Sequence, residues 1–89
     1  MLSTTPVDLN KVDKKNIDKE LLRVSIIGEL DTVNLYEQVA ALTQNEAIRA
    51  QILDIAKEEK THIGELQTLL LQLDHEQACL LYTSDAADE

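Results

Sequence analysis

The most constraining feature of this chain is a ladder in its second half: Ile48, Ile52, Ile55, Glu59, His62, Leu66, Leu69 and Leu73. The steps alternate between four and three residues. That spacing keeps every rung on one face of an α-helix, close to the seam of a coiled coil. A second ladder follows the same rule in the first half: Leu22, Ile26, Glu29, Val33, Tyr36 and Ala40. Three ionisable residues, Glu29, Glu59 and His62, therefore stand where the pattern asks for leucine or isoleucine. A carboxylate aimed at a core without a partner is costly and tends to protonate. A metal ion supplies the partner, and carboxylate with imidazole suits iron, manganese or zinc.

The chain has 89 residues, enough for one small domain that needs a partner or a metal to be stable. A single cysteine, Cys79, excludes an internal disulfide and any zinc ribbon or rubredoxin-type site within the chain. The net charge of −9 argues against a nucleic-acid surface, which is usually basic. No apolar run approaches the roughly 20 residues of a membrane span. The start, Met1-Leu2-Ser3-Thr4-Thr5-Pro6, lacks the charged-then-apolar form of a signal peptide, so the expected compartment is the cytoplasm. With two glycines, one proline and a core of Leu, Ile, Val and Ala, the chain is expected to be all-α.

Residues 1–16 read as an arm with one short turn around Val7 to Val12. Asn16 is placed to cap a first helix, with Asp18 and Glu20 in the first turn where the helix dipole favours acids. That helix is expected from Ile17 to Leu42. Gly28 lies inside it and costs about 1 kcal/mol relative to alanine. Thr43-Gln44-Asn45 forms the link, with Asn45, or Thr43 together with Glu46, capping the next helix. So short a link makes the helices antiparallel. The second helix is expected from about Glu46 to about Gln77. Val24, Ile27, Leu30, Leu35 and Leu53 widen the apolar stripes beyond what one hairpin can bury. Two hairpins are therefore expected to dimerise into a four-helix bundle, or to assemble further.

The last eleven residues, Cys79 to Glu89, break the preceding pattern. They match, in one frame, the translation of a transposon-end sequencing adapter. The domain is accordingly taken as 17–78, with 79–89 as a fused artefact and the native C-terminus, with any targeting signal, expected to be absent. Without Asp85, Asp88 and Glu89 the net charge moves from −9 to −6.

On a helix, residues i and i+3 share a face, so Glu59 and His62 can reach one ion, and a facing helix can deliver Glu29. Two hairpins about a two-fold axis then offer four carboxylates and two imidazoles, the di-metal set of ferritin-like bundles, whose charge two divalent ions balance. Glu-x-x-His alone occurs by chance on solvated helices, and a core histidine is more often hydrogen-bonded than metal-ligating. The argument rests on three coincident in-seam positions. Tyr36, two turns beyond Glu29, either meets a ligand carboxylate or packs in the core. Asp31, Glu58 and Glu65 fall off the ladders and read as solvated, with Asp31 also a candidate to assist an approaching cation. His75 and Glu76 read as surface residues.

At Glu29-Leu30-Asp31-Thr32-Val33-Asn34-Leu35-Tyr36 and Glu58-Glu59-Lys60-Thr61-His62 the chain resembles the ferritin-like superfamily. It is most similar to the short encapsulated ferritins and related rubrerythrin-like proteins. The likeness spans about residues 17 to 76. It implies that Glu29, Glu59 and His62 bind iron at a dimer interface, with Asp31 near the iron entrance. Gly28 stands where those proteins have a further acid, and Leu35 where they often have tryptophan. The resemblance implies oxidation of Fe(II) to Fe(III), an annular assembly of dimers, and iron storage as cargo inside an encapsulin shell. Two alternatives stay open: a rubrerythrin-like peroxide reductase, and a non-enzymatic acidic helical module with a structural polar layer.

Overall fold

The computed structural model describes residues 8–87. Short 3-10 turns at Leu9–Lys11 and Lys14–Asn16 lead into three α-helices: α1 Ile17–Leu42, α2 Glu46–Leu73 and α3 His75–Ala87. There is no strand among the described residues. The first turn falls within the range expected from the sequence; Val7 lies outside the described residues. No described helix is long and apolar enough to cross a membrane.

The caps around the link show why α1 and α2 form an antiparallel pair. Asn45 accepts from the N–H groups of Ala47 at 3.0 Å and Ile48 at 3.1 Å, satisfying two donors that the helix start leaves unpaired. The Thr43 hydroxyl accepts from Asn45 N–H at 3.2 Å. Arg49 completes the joint. Its Nε donates to Ala40 O at 3.0 Å, and its other nitrogens reach Thr43 O and Glu46. One guanidinium thus caps the end of α1 from the first turn of α2. Asn16, by contrast, occupies the N-cap position of α1 without a side-chain cap hydrogen bond.

The second helix is shorter than the sequence suggests. It ends at Leu73, and a third helix begins at His75. Asp74 makes the break. Its Oδ1 accepts from Gln77 N–H at 3.0 Å, an N-cap interaction for α3, while its N–H closes α2 on Leu70 O at 2.7 Å. Arg23 of α1 donates to the other carboxylate oxygen. The Gln77 N–H foremost, then the Arg23 and Lys19 charges, hold the Asp74 carboxyl below its ordinary value of 3.8, against the opposing pull of burial. One residue therefore ties all three helices together, by its backbone to α2 and by its carboxylate to α1 and α3. α3 runs from His75 to Ala87, past the boundary at residue 79, without interruption.

The core is thin. Val33, Ala40, Ala56 and Leu70 are the buried apolar residues among those described, and no large side chain is fully covered. Leu30, Ile48, Leu53, Leu69 and Leu73 remain about half exposed. The molecule measures 46 × 41 × 17 Å, so in its short dimension it is a single layer of helices. A layer with an apolar face needs a second layer against it.

Candidate metal centre

The two ladders face each other where their polar rungs lie. Glu29 comes from the middle of α1, and Glu59 and His62 from successive turns of α2. One ligand atom from each lies within 4.8 Å of the other two. His62 Nδ1 stands 3.4 Å from Glu59 Oε2 and 3.8 Å from Glu29 Oε2. The carboxylates are the sheltered members, with side chains 29% exposed for Glu29 and 20% for Glu59, against 52% for His62. The imidazole edge of the group opens outward.

Glu29 Oε2 is buried and makes no hydrogen bond. A buried acceptor left unpaired costs on the order of 1–3 kcal/mol, and such groups are uncommon enough to need an explanation. An ion held between this oxygen, Glu59 and His62 explains it. The donor set also fits: two carboxylate oxygens and an imidazole nitrogen are what iron, manganese and zinc accept. With a proton on Nδ1, His62 donates toward the carboxylates; without it, the same nitrogen presents a lone pair to a cation. Lys60, next to Glu59 in sequence, is drawn away by Glu37 on α1, at 3.1 Å, so its charge is held by another carboxylate.

The three in-seam residues expected from the sequence are thus brought together. Tyr36 is half-buried on α1. Glu58, Glu65, His75 and Glu76 are exposed, as expected. Asp31 differs: it is buried, with only 9% of its surface accessible, rather than solvated. It stays outside the three-residue group. Sequence reasoning missed Arg23, Arg49 and Asp74, which position the helices that carry the site. Arg49 could have been found from its place in the first turn after the link.

Comparison with known proteins agrees with the fold. The family model described as Rubrerythrin matches residues 20–88. The crystal structure of the encapsulated ferritin domain from Pyrococcus furiosus superposes with a TM-score of 0.77 at 44% identity, covering 94% of this chain and 88% of that one. A ferritin-like-encapsulin shell fusion protein of Pyrococcus furiosus is 50% identical over 80 residues, 86% of this chain and 23% of that protein. The encapsulin nanocompartment cargo protein EncC of Myxococcus xanthus is 37% identical over 70 residues, 75% of this chain and 54% of the relative. The chain therefore spans about a quarter of the first relative and about half of the second. This chain belongs to the rubrerythrin family of ferritin-like domains.

Proposed function

We propose that two copies of this chain close a di-iron centre between them and oxidise Fe(II) to Fe(III), as cargo of an encapsulin compartment in the cytoplasm. The observation that carries this reading is the buried, unpaired Glu29 Oε2, grouped with Glu59 and His62 within 4.8 Å. Three ligands from one chain leave an iron ion under-coordinated, and a second copy supplies three more. The resulting four carboxylates and two imidazoles are the set used by ferritin-like carboxylate proteins.

Fe(II) is the substrate. Each of two Fe(II) ions loses one electron, and dioxygen, taking two electrons and two protons, leaves as hydrogen peroxide. The chain's own residues bind and orient. Glu29 and Glu59 neutralise the incoming charge. His62 offers a cation whichever ring nitrogen carries no proton. The roles of the encapsulin-associated relatives, by their names, support the cargo reading. The thin, single-layer chain encloses no storage space of its own.

The test is Fe(II) addition to metal-free protein, followed by sizing with metal analysis of each peak and then oxygen-consumption assays. About one iron per chain, coeluting with a dimer or larger species, is the expected result. Glu59→Ala and His62→Ala each lose the metal, while Glu58→Gln keeps it. Assembly without retained metal overturns the reading in favour of a structural polar layer. The family match favours one second reading, a peroxide reductase, distinguished by turnover of hydrogen peroxide with an added electron donor.

A further inference from the structure

The bend between α2 and α3 has no cause in the local sequence. Leu69-Leu70-Leu71-Gln72-Leu73 before it and His75-Glu76-Gln77-Ala78 after it hold neither glycine nor proline, the commonest sources of a sharp kink. A continuous helix over residues 46–87 runs about 63 Å, whereas the longest dimension of the molecule is 46 Å, so α3 turns out of line with α2. The turn is concentrated in one residue. Asp74 has φ −107° and ψ 86°, against roughly −63° and −42° in a helix. Its N–H nevertheless reaches Leu70 O at 2.7 Å, and its carbonyl accepts from Ala78 N–H at 3.1 Å, the same bonds that an unbroken helix makes. The cause lies on α1. Arg23 divides its guanidinium, Nη1 donating to Glu20 at 3.0 Å on its own helix and Nη2 to Asp74 Oδ2. The Asp74 side chain is 11% exposed and that of Arg23 44%.

We propose that Arg23 and Asp74 form a latch, and that opening it lets Asp74 turn helical and fuses α2 and α3 into one straight helix. α3 is then a hinged arm with two settings, and the chain beyond Ala78 leaves the hairpin in the direction the latch sets. Hinges of this kind confine a large φ/ψ change to a few residues at the end of an element. Two contributions oppose each other. The bent form keeps the sheltered Arg23 contact and the bond from Gln77 N–H to Asp74 Oδ1 at 3.0 Å. The straight form regains intrahelical acceptors for the N–H groups of His75, Glu76 and Gln77, which a helix start leaves unpaired within the helix, in a run rich in good helix formers. Removing either latch partner therefore tips the balance toward the straight form. Glu20 keeps a hold on Arg23 when Asp74 lets go, so the open latch leaves no unpaired guanidinium. Glu29, Glu59 and His62 lie on the hairpin ahead of the hinge, and the movement leaves them in place.

The test is a spin-label distance measurement on the full-length chain carrying Cys79→Ser, labelled at Gln51→Cys on α2 and Leu81→Cys on α3. Both positions are exposed. Dilution with unlabelled chain ensures that distances within one molecule are read. In a straight helix the two positions stand about 45 Å apart, and the bend brings them nearer. The otherwise unaltered chain is expected to show the shorter distance. Arg23→Ala is expected to raise the ratio of long to short distances at least tenfold. Asp74→Ala, which leaves α1 untouched, is expected to do the same from the other side of the contact. The two together add nothing further, because they open one latch. Glu20→Ala keeps the shorter distance. Circular dichroism in parallel follows the helical content of α3. A distance of about 45 Å before either latch residue is changed overturns the proposal, as does an Arg23→Ala or Asp74→Ala variant that keeps the shorter one. Loss of helical signal with a broad spread of distances also overturns it, since Arg23 and Asp74 then hold α3 folded rather than bent.

Discussion

His62 Nδ1 lies 3.8 Å from Glu29 Oε2 across the hairpin, and that oxygen is buried without a hydrogen bond. The metal-free protein therefore carries a cost that a cation bound as proposed above would remove. Glu29→Leu is expected to raise the stability of metal-free protein by about 1 kcal/mol, since it deletes an unsatisfied buried acceptor. The same change abolishes stabilisation by Mn(II), which acts by mass action on the folded state. Thermal unfolding with and without Mn(II) reads both effects. A metal-free variant less stable than the parent shows that the carboxylate was already partnered.

Asp74 gives a pH signature. Its carboxyl is held below 3.8 by the Gln77 N–H, with Arg23 and Lys19 adding to this. A depressed carboxyl contributes stability that is present above its unfolded value and lost as pH falls through the folded one. Asp74→Asn keeps an acceptor for Gln77 but loses the charge that meets Arg23. The variant is expected to be less stable than the parent at pH 7, and the gap to close as pH drops below 3.8. Urea midpoints of both proteins between neutral and acidic pH measure the gap. One that does not change with pH means the charge contributes nothing.

The two helix starts differ in a testable way. Asn45 caps α2 with two hydrogen bonds, whereas Asn16 makes none from its side chain. Asn45→Ala is expected to lower stability by about 1 kcal/mol, and Asn16→Ala to stay within about 0.5 kcal/mol of the parent, as surface changes usually do. Chemical denaturation of the two variants side by side decides the matter. Equal losses would contradict the capping geometry.

The boundary proposed at residue 79 predicts that a chain ending at Ala78 keeps the metal site. Glu29, Glu59 and His62 are held by α1 and α2, and the Asp74 cap acts on Gln77; all precede the cut. Metal content per chain and dimer population are expected to match the full-length protein, with a small loss of helical circular dichroism from α3. If iron binding fails on truncation, the tail is part of the functional domain.

Much of the framework was legible along the chain. The extent of α1, the start of α2 and the Asn45 cap follow from helical period and capping chemistry, which act over a few residues. The metal candidates were legible for a related reason: Glu29, Glu59 and His62 interrupt apolar ladders, and an interruption is visible without a fold. Asp74 was not legible as a break. It sits in a stretch of strong helix formers, and its meaning depends on Arg23, 51 residues away. The burial of Asp31 likewise has no local sign, because the helical period places it off the seam.

The sequence by itself determined that two long amphipathic helices form, that a short link folds them back, and that acids and a histidine sit in their seams, since each depends on neighbours within a turn or two. Only the tertiary structure decided that Glu29 meets Glu59 and His62 within 4.8 Å, that one of its oxygens is buried and unpaired, and that Asp74 turns the chain into a third helix. Those outcomes depend on how the faces of α1 and α2 pack and which groups they shield from water, and no periodicity along one strand of sequence contains that information.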